Sequence, residues 1–172
     1  MNAFITVIPI ILIRYGLLNM INKEALKRAS FFAPLIGREK AAFWVYQITT
    51  ALILIYLFLL KIKTDSVWFY IGVIIYGLGI ILYVVSIISY SIPKKSGINL
   101  SGLYGVSRNP MYVAYFIYFL GCVLLTRSWI LFLLLISFQI SVHWIILSEE
   151  RWCIWKFGEE YIKYMNKVRR YI

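Results

Sequence analysis

The chain has 172 residues, of which 62% are hydrophobic and 18% aromatic, and its formal net charge is +11. Soluble domains carry about 45–50% apolar residues; one water-soluble core cannot absorb the excess, and the composition points to an integral membrane protein. The charge does not indicate nucleic acid, because the basic residues cluster at the ends of apolar runs, where they set topology and meet anionic headgroups.

The first apolar run covers about Ala3 to Met20 and carries Arg14. It has no basic start and no small-residue cleavage site after it, so it is expected to remain as a mature span. Further runs cover about Ala41 to Leu60, Val67 to Ile92, Pro110 to Thr126 and Ser128 to Ser148. At helical rise these runs are roughly 25–39 Å long, enough to cross a hydrocarbon core of about 30 Å with some tilt or thinning. The expected fold is an all-α, polytopic bundle of five transmembrane helices. It forms one membrane domain over 1–172, with three spans in 1–92 and a loop, a helix hairpin and a C-terminal lid in 93–172. Little more than Arg127 separates spans four and five, which predicts a tight antiparallel hairpin.

Basic residues fall unevenly between the spans. Segment 22–40 has five, segment 93–109 has three (Lys94, Lys95, Arg108) and segment 149–172 has six. With five spans these segments share one side, and the other side has only Lys61, Lys63 and Arg127. The positive-inside rule then places the N-terminus outside and the C-terminus in the cytosol, in the cell membrane if the source is prokaryotic. Cys122 and Cys153 fall near opposite faces and are expected to be free thiols.

The tail continues span five through EERWCIWKF to a break at Gly158. Beyond it, Tyr161, Met165, Val168 and Ile172 recur at helical spacing, with Glu160, Lys163, Lys167 and Arg170 on the other face. The pattern predicts an amphipathic helix lying on the interface or folded back over the bundle.

Two stretches carry chemistry. In GLYGVSRNPMY, 102–112, Asn109 is placed to cap the fourth span and Pro110 suits its first position. The positive end of that helix and Arg108 together make an anion site. The hairpin returns Glu149 and Glu150 to the same level, where adjacent carboxylates at a helix C-terminus call for cationic partners or a cationic ligand. A cavity with both signs of charge suits S-adenosylmethionine, and a zwitterionic headgroup equally. His143, the only histidine, has no Cys or carboxylate at metal spacing, so no metal is expected. A hydrogen bond across helices accounts for it more simply, with Gln139 one turn earlier as a partner or a substrate contact. Arg14 snorkels, pairs or meets a lipid phosphate; the sequence does not choose.

These stretches resemble the integral-membrane methyltransferases that group isoprenylcysteine carboxyl methyltransferase with phospholipid N-methyltransferase. The resemblance covers about 98–172. It rests on GLYGVSRNPMY and on EERWCIWKFGEEYIKYMNKVRRYI, 149–172, where Glu-Glu precedes Phe-Gly and two spaced tyrosines. Asn109 stands where the carboxyl methyltransferase branch usually has His, and Leu103 replaces a common Pro. The resemblance implies S-adenosylmethionine as cofactor, bound by Tyr104, Arg108, Asn109, Tyr112, Glu149 and Glu150 and covered by Phe157, Gly158, Tyr161 and Tyr164. Arg108 and Glu150 are the candidate catalytic residues; Gln139, His143 and Arg14 are candidate substrate contacts. Gly77-Leu-Gly79 is similar to a Gly-x-Gly placed near the cofactor, and helix packing also explains it. The implied partners are membrane lipids and a lipidic acceptor, either a phospholipid amine or an isoprenylcysteine carboxylate. Two other classes stay open: an NADPH-dependent membrane sterol or enone reductase, and a non-enzymatic membrane subunit.

Overall fold

The computed structural model describes residues 1–92 and 97–171. Lys94, Lys95 and Ile172 lie outside the described residues. Helix α1, Ala3–Ile21, is a single rod of changing pitch. A 3-10 turn (Ala3–Val7) opens it, and a π segment (Leu12–Leu17) interrupts its α-helical geometry. Asn22 then caps α2, Lys23–Ala29, by accepting from the amides of Glu24 and Ala25, and its own amide donates to the Ser91 carbonyl at 2.9 Å. Helices α3 (Arg38–Leu59) and α4 (Val67–Ser91) follow. A 3-10 turn at Gly102–Gly105 leads into α5, Pro110–Thr126. Arg127 then takes the left-handed conformation, and Ser128 caps α6, Trp129–Phe157. Gly158, at φ +55°, turns the chain into α7, Glu159–Lys167. Among the described residues no strand forms, and the fold is the expected helical membrane bundle.

Helices α1, α3, α4 and α6 are long and apolar enough to cross a bilayer. Helix α5 has 17 residues, fewer than the roughly 20 a span normally needs. It nonetheless runs between the same two ends of the bundle. At one end Lys63 N donates to the Leu125 carbonyl at 2.9 Å, beside the pairing of Ala3 with Leu60 and the Arg127–Asp65 ion pair. At the other, Arg108 N donates to the Arg169 carbonyl at 2.9 Å, beside the α2 segment and the start of α3. The described basic residues of 22–40, 97–109 and the tail therefore gather at one end, as their spacing requires. The outer faces of α3 and α4 expose Trp44, Ile48, Ile55, Phe58, Ile74 and Ile81, which suits contact with lipid rather than water.

Two expectations are corrected. The hairpin of α5 and α6 is tight only at its turn. Helix α5 packs mainly along α4, and α6 along α3, while α5 and α6 touch each other far less. The cause is steric. A Cβ on Gly79 would lie 2.5 Å from Tyr118 Cα, and one on Gly121 2.5 Å from Tyr76 Cα, so α4 and α5 meet backbone to backbone. This also accounts for the Gly-x-Gly: Gly79 is a packing contact, Gly77 has open space around it, and neither lines the cavity described below. Gly79→Ala should destabilise the protein by about 1–3 kcal/mol through overpacking while Gly77→Ala stays near neutral, as read from thermal unfolding in detergent. The second correction concerns the tail. Helix α7 stops at Lys167, and Val168 is extended at φ −121°. Because 168–171 is not helical, Arg170 turns inward instead of joining an outer polar face.

Candidate active site

A cavity of about 510 Å³ opens at the basic end of the bundle, within the usual range for a small-molecule site. Tyr104, Arg108, Asn109, Tyr112, Glu149, Glu150, Tyr161 and Tyr164 all line it, as does Arg14. Gln139 and His143 do not.

The tail builds one wall. Residues 169–170 run beside 107–109, with a bridge between Ser107 and Arg169. Asn109 does not cap α5; its amide donates instead to the Arg170 carbonyl at 3.0 Å. The extended tail outcompetes the helix for that side chain, because its own carbonyls need donors. Tyr164 Oη donates to the Tyr104 carbonyl at 2.6 Å. Burial pushes the phenols of Tyr104, Tyr161 and Tyr164 upward, so they remain neutral hydrogen-bonding groups. His143 Nδ1 lies 2.9 Å from Tyr171 Oη, which makes it an anchor for the tail, and Gln139 is not its partner.

The adjacent carboxylates have opposite environments. Glu150, only 5% exposed at its side chain, is enclosed by two arginines. Arg108 Nη2 approaches Oε1 at 2.9 Å, and Arg170 donates through Nη2 to Oε2 at 2.7 Å. The hydrogen bond to Glu150 raises the Arg170 pKa, so its charge is secure. Arg108 Nη1 also donates to the Met165 carbonyl at 3.0 Å. These contacts clamp loop, α6 and tail together. Arg151, one residue on, points away and pairs with Glu39 at 2.5 Å.

Glu149 faces the cavity and has a different partner. Its Oε1 accepts from Tyr112 Oη at 2.9 Å, and among the described residues no cation pairs with it. An enclosed carboxylate without a counter-ion is costly, and it attracts a cationic ligand or a proton. Aromatic rings complete the wall. Tyr90 lies 6.2 Å from Tyr104, and Trp152 lies 6.3 Å from Phe157. Tyr46, Tyr90 and Tyr115 line the cavity too, and nothing in their sequence positions distinguishes them from the interfacial anchors that most tyrosines near span ends are. The free Cys153 also lines it, while the free Cys122 is buried near the far end of α5.

The sequence pattern of the phospholipid methyltransferase family matches residues 67–160. No curated protein and no solved structure matches the chain. The match spans α4, the loop, α5 and α6, and stops just before Tyr161. It covers more than half of the chain and contains both carboxylates and the whole of GLYGVSRNPMY. A helical membrane bundle with this cavity at the meeting of those segments belongs to the phospholipid methyltransferase family and is a membrane methyltransferase.

Proposed function

We propose that the protein transfers a methyl group from S-adenosylmethionine to the amine of a membrane phospholipid, at the cytosolic face. The observation that carries this reading is Glu149, a cavity-facing carboxylate that pairs with no cation among the described residues, on the part of the cavity wall that the family's own segments supply. The donor set fits the cofactor. Glu149 offers negative potential inside the cavity, the aromatic wall offers a surface for a flat base, and the start of α5 beside the Arg108–Glu150–Arg170 cluster, which keeps one net positive charge, offers positive potential to a carboxylate.

When bound, S-adenosylmethionine supplies an electrophilic methyl on a cationic sulfur. The protein must then hold the acceptor amine in line with that methyl and keep water out. The amine attacks only when neutral, so one proton must leave it, and Glu149 is the acceptor for that proton. Tyr112 orients Glu149 through its hydrogen bond. Arg108 and Glu150 act by holding the loop against the tail, a positioning role, since each already satisfies the other.

The test uses the purified full chain, radiolabelled S-adenosylmethionine and a total lipid extract, with identification of the labelled product. A labelled amine headgroup is expected. A labelled prenylcysteine ester would move the assignment to a carboxylate acceptor, and no label with no binding of S-adenosylhomocysteine would defeat the reading.

A further inference from the structure

Another part of the cavity wall comes from segments that precede the family match. Arg14 lies within the π segment of α1, the kind of helix irregularity that often accompanies functional side chains. Its guanidinium donates to Tyr115 Oη at 2.8 Å and to the Ala29 carbonyl at 2.9 Å. Tyr115 Oη in turn lies 2.8 Å from Tyr83 Oη. Arg28 also lines the cavity, with its guanidinium 5.4 Å from the Tyr90 ring centroid and its Nε buried without a hydrogen-bond partner among the described residues. Among the described residues, neither arginine pairs with a carboxylate. Two guanidinium groups held by neutral oxygens and a ring in one enclosed wall leave positive charge uncompensated, and a ligand anion is the natural counter-ion.

Depth identifies which anion. Helix α5 enters from the basic end at Pro110. Tyr112, bonded to Glu149, sits in its first turn, and Tyr115, bonded to Arg14, sits three residues deeper, about 4.5 Å along the axis. The cavity thus presents a carboxylate near the face, an arginine below it, and apolar span below that. An amine phospholipid in a bilayer has the same order: amine outermost, phosphodiester beneath, acyl chains beneath that. A prenylated carboxylate acceptor puts its anion at the reacting position and has no second charge below.

We propose that Arg14, supported by Arg28, is the anion subsite that holds the phosphodiester of the acceptor headgroup while Glu149 meets its amine. The proposal rests on the methyl-transfer reading of the same cavity.

The full chain in detergent would be examined by native mass spectrometry with phosphatidylethanolamine and with a long-chain primary amine that lacks phosphate. Parallel calorimetry would follow S-adenosylhomocysteine. Wild type should retain the phospholipid over the amine. Arg14→Gln should weaken phospholipid retention by about tenfold or more, leave the amine unchanged, and leave S-adenosylhomocysteine affinity within about twofold. Arg14→Lys should recover part of the loss, which separates charge from packing, and Arg28→Gln should give a smaller loss in the same direction. Equal phospholipid retention in wild type and Arg14→Gln would overturn the proposal. So would a fall in S-adenosylhomocysteine affinity without a change for the lipid, which would assign Arg14 to the cofactor. Displacement of the lipid by millimolar inorganic phosphate would assign the site to free phosphate instead. Wild type that discriminates between the lipids but binds no S-adenosylhomocysteine would defeat the methyl-transfer reading and leave the anion subsite standing.

Discussion

Glu149→Gln should lower methyl transfer about 10²–10³-fold while the protein stays folded. Gln keeps an oxygen that can accept from Tyr112 Oη, so the local hydrogen bond survives. The charge and the ability to take a proton do not. Proton acceptance by a placed carboxylate is worth about 10²–10⁴-fold, and loss of the counter-charge weakens any cationic ligand further. The measurement is turnover with labelled S-adenosylmethionine beside a thermal unfolding curve in the same detergent. Unchanged turnover in a folded Glu149→Gln protein would remove Glu149 from the reaction.

Glu150→Ala has the opposite signature. It leaves the buried Arg108 facing the partly exposed Arg170 without their shared carboxylate. Breaking a buried ion pair from one side costs about 3–5 kcal/mol, because the partner charges stay behind. The expected result is a lower unfolding temperature and early proteolytic cleavage in the tail, with activity lost in proportion to the detached tail. Glu150→Gln, which keeps acceptor oxygens, should recover part of the stability. A Glu150→Ala protein with wild-type stability and tail protection but no turnover would mean that Glu150 takes part in the chemistry directly. Neighbours in sequence thus separate into a cavity-facing carboxylate and one clamped between arginines, and the two assays tell their proposed roles apart.

The motif residues Tyr104, Arg108, Tyr112, Glu149, Glu150, Tyr161 and Tyr164 were legible as a group, and the fold brings all of them to one cavity. Their division of labour was not. Which of two adjacent carboxylates meets a second cation depends on where residue 170 ends up, and its spacing puts 170 on the polar face of an amphipathic helix. That reading failed because helical periodicity in 159–172 is local. Pairing of the tail with 107–109 depends on chain segments about sixty residues apart, which no window of sequence contains. His143 shows the same limit: its partner, Tyr171, lies 28 residues on.

Composition alone determined that this chain is a membrane bundle, because apolar surface on this scale has no other stable solvent. Charge placement alone determined which segments share an end, because each span reverses the chain. Only the tertiary structure decided that α5 packs on α4 instead of along its hairpin partner, since that choice rests on the close approach of Gly79 to Tyr118 and of Gly121 to Tyr76. It alone also decided that Arg14, in the first span, faces the same cavity as Glu149 in the last. A helix reveals its apolar and polar residues in sequence, but its rotation against distant helices is set by packing.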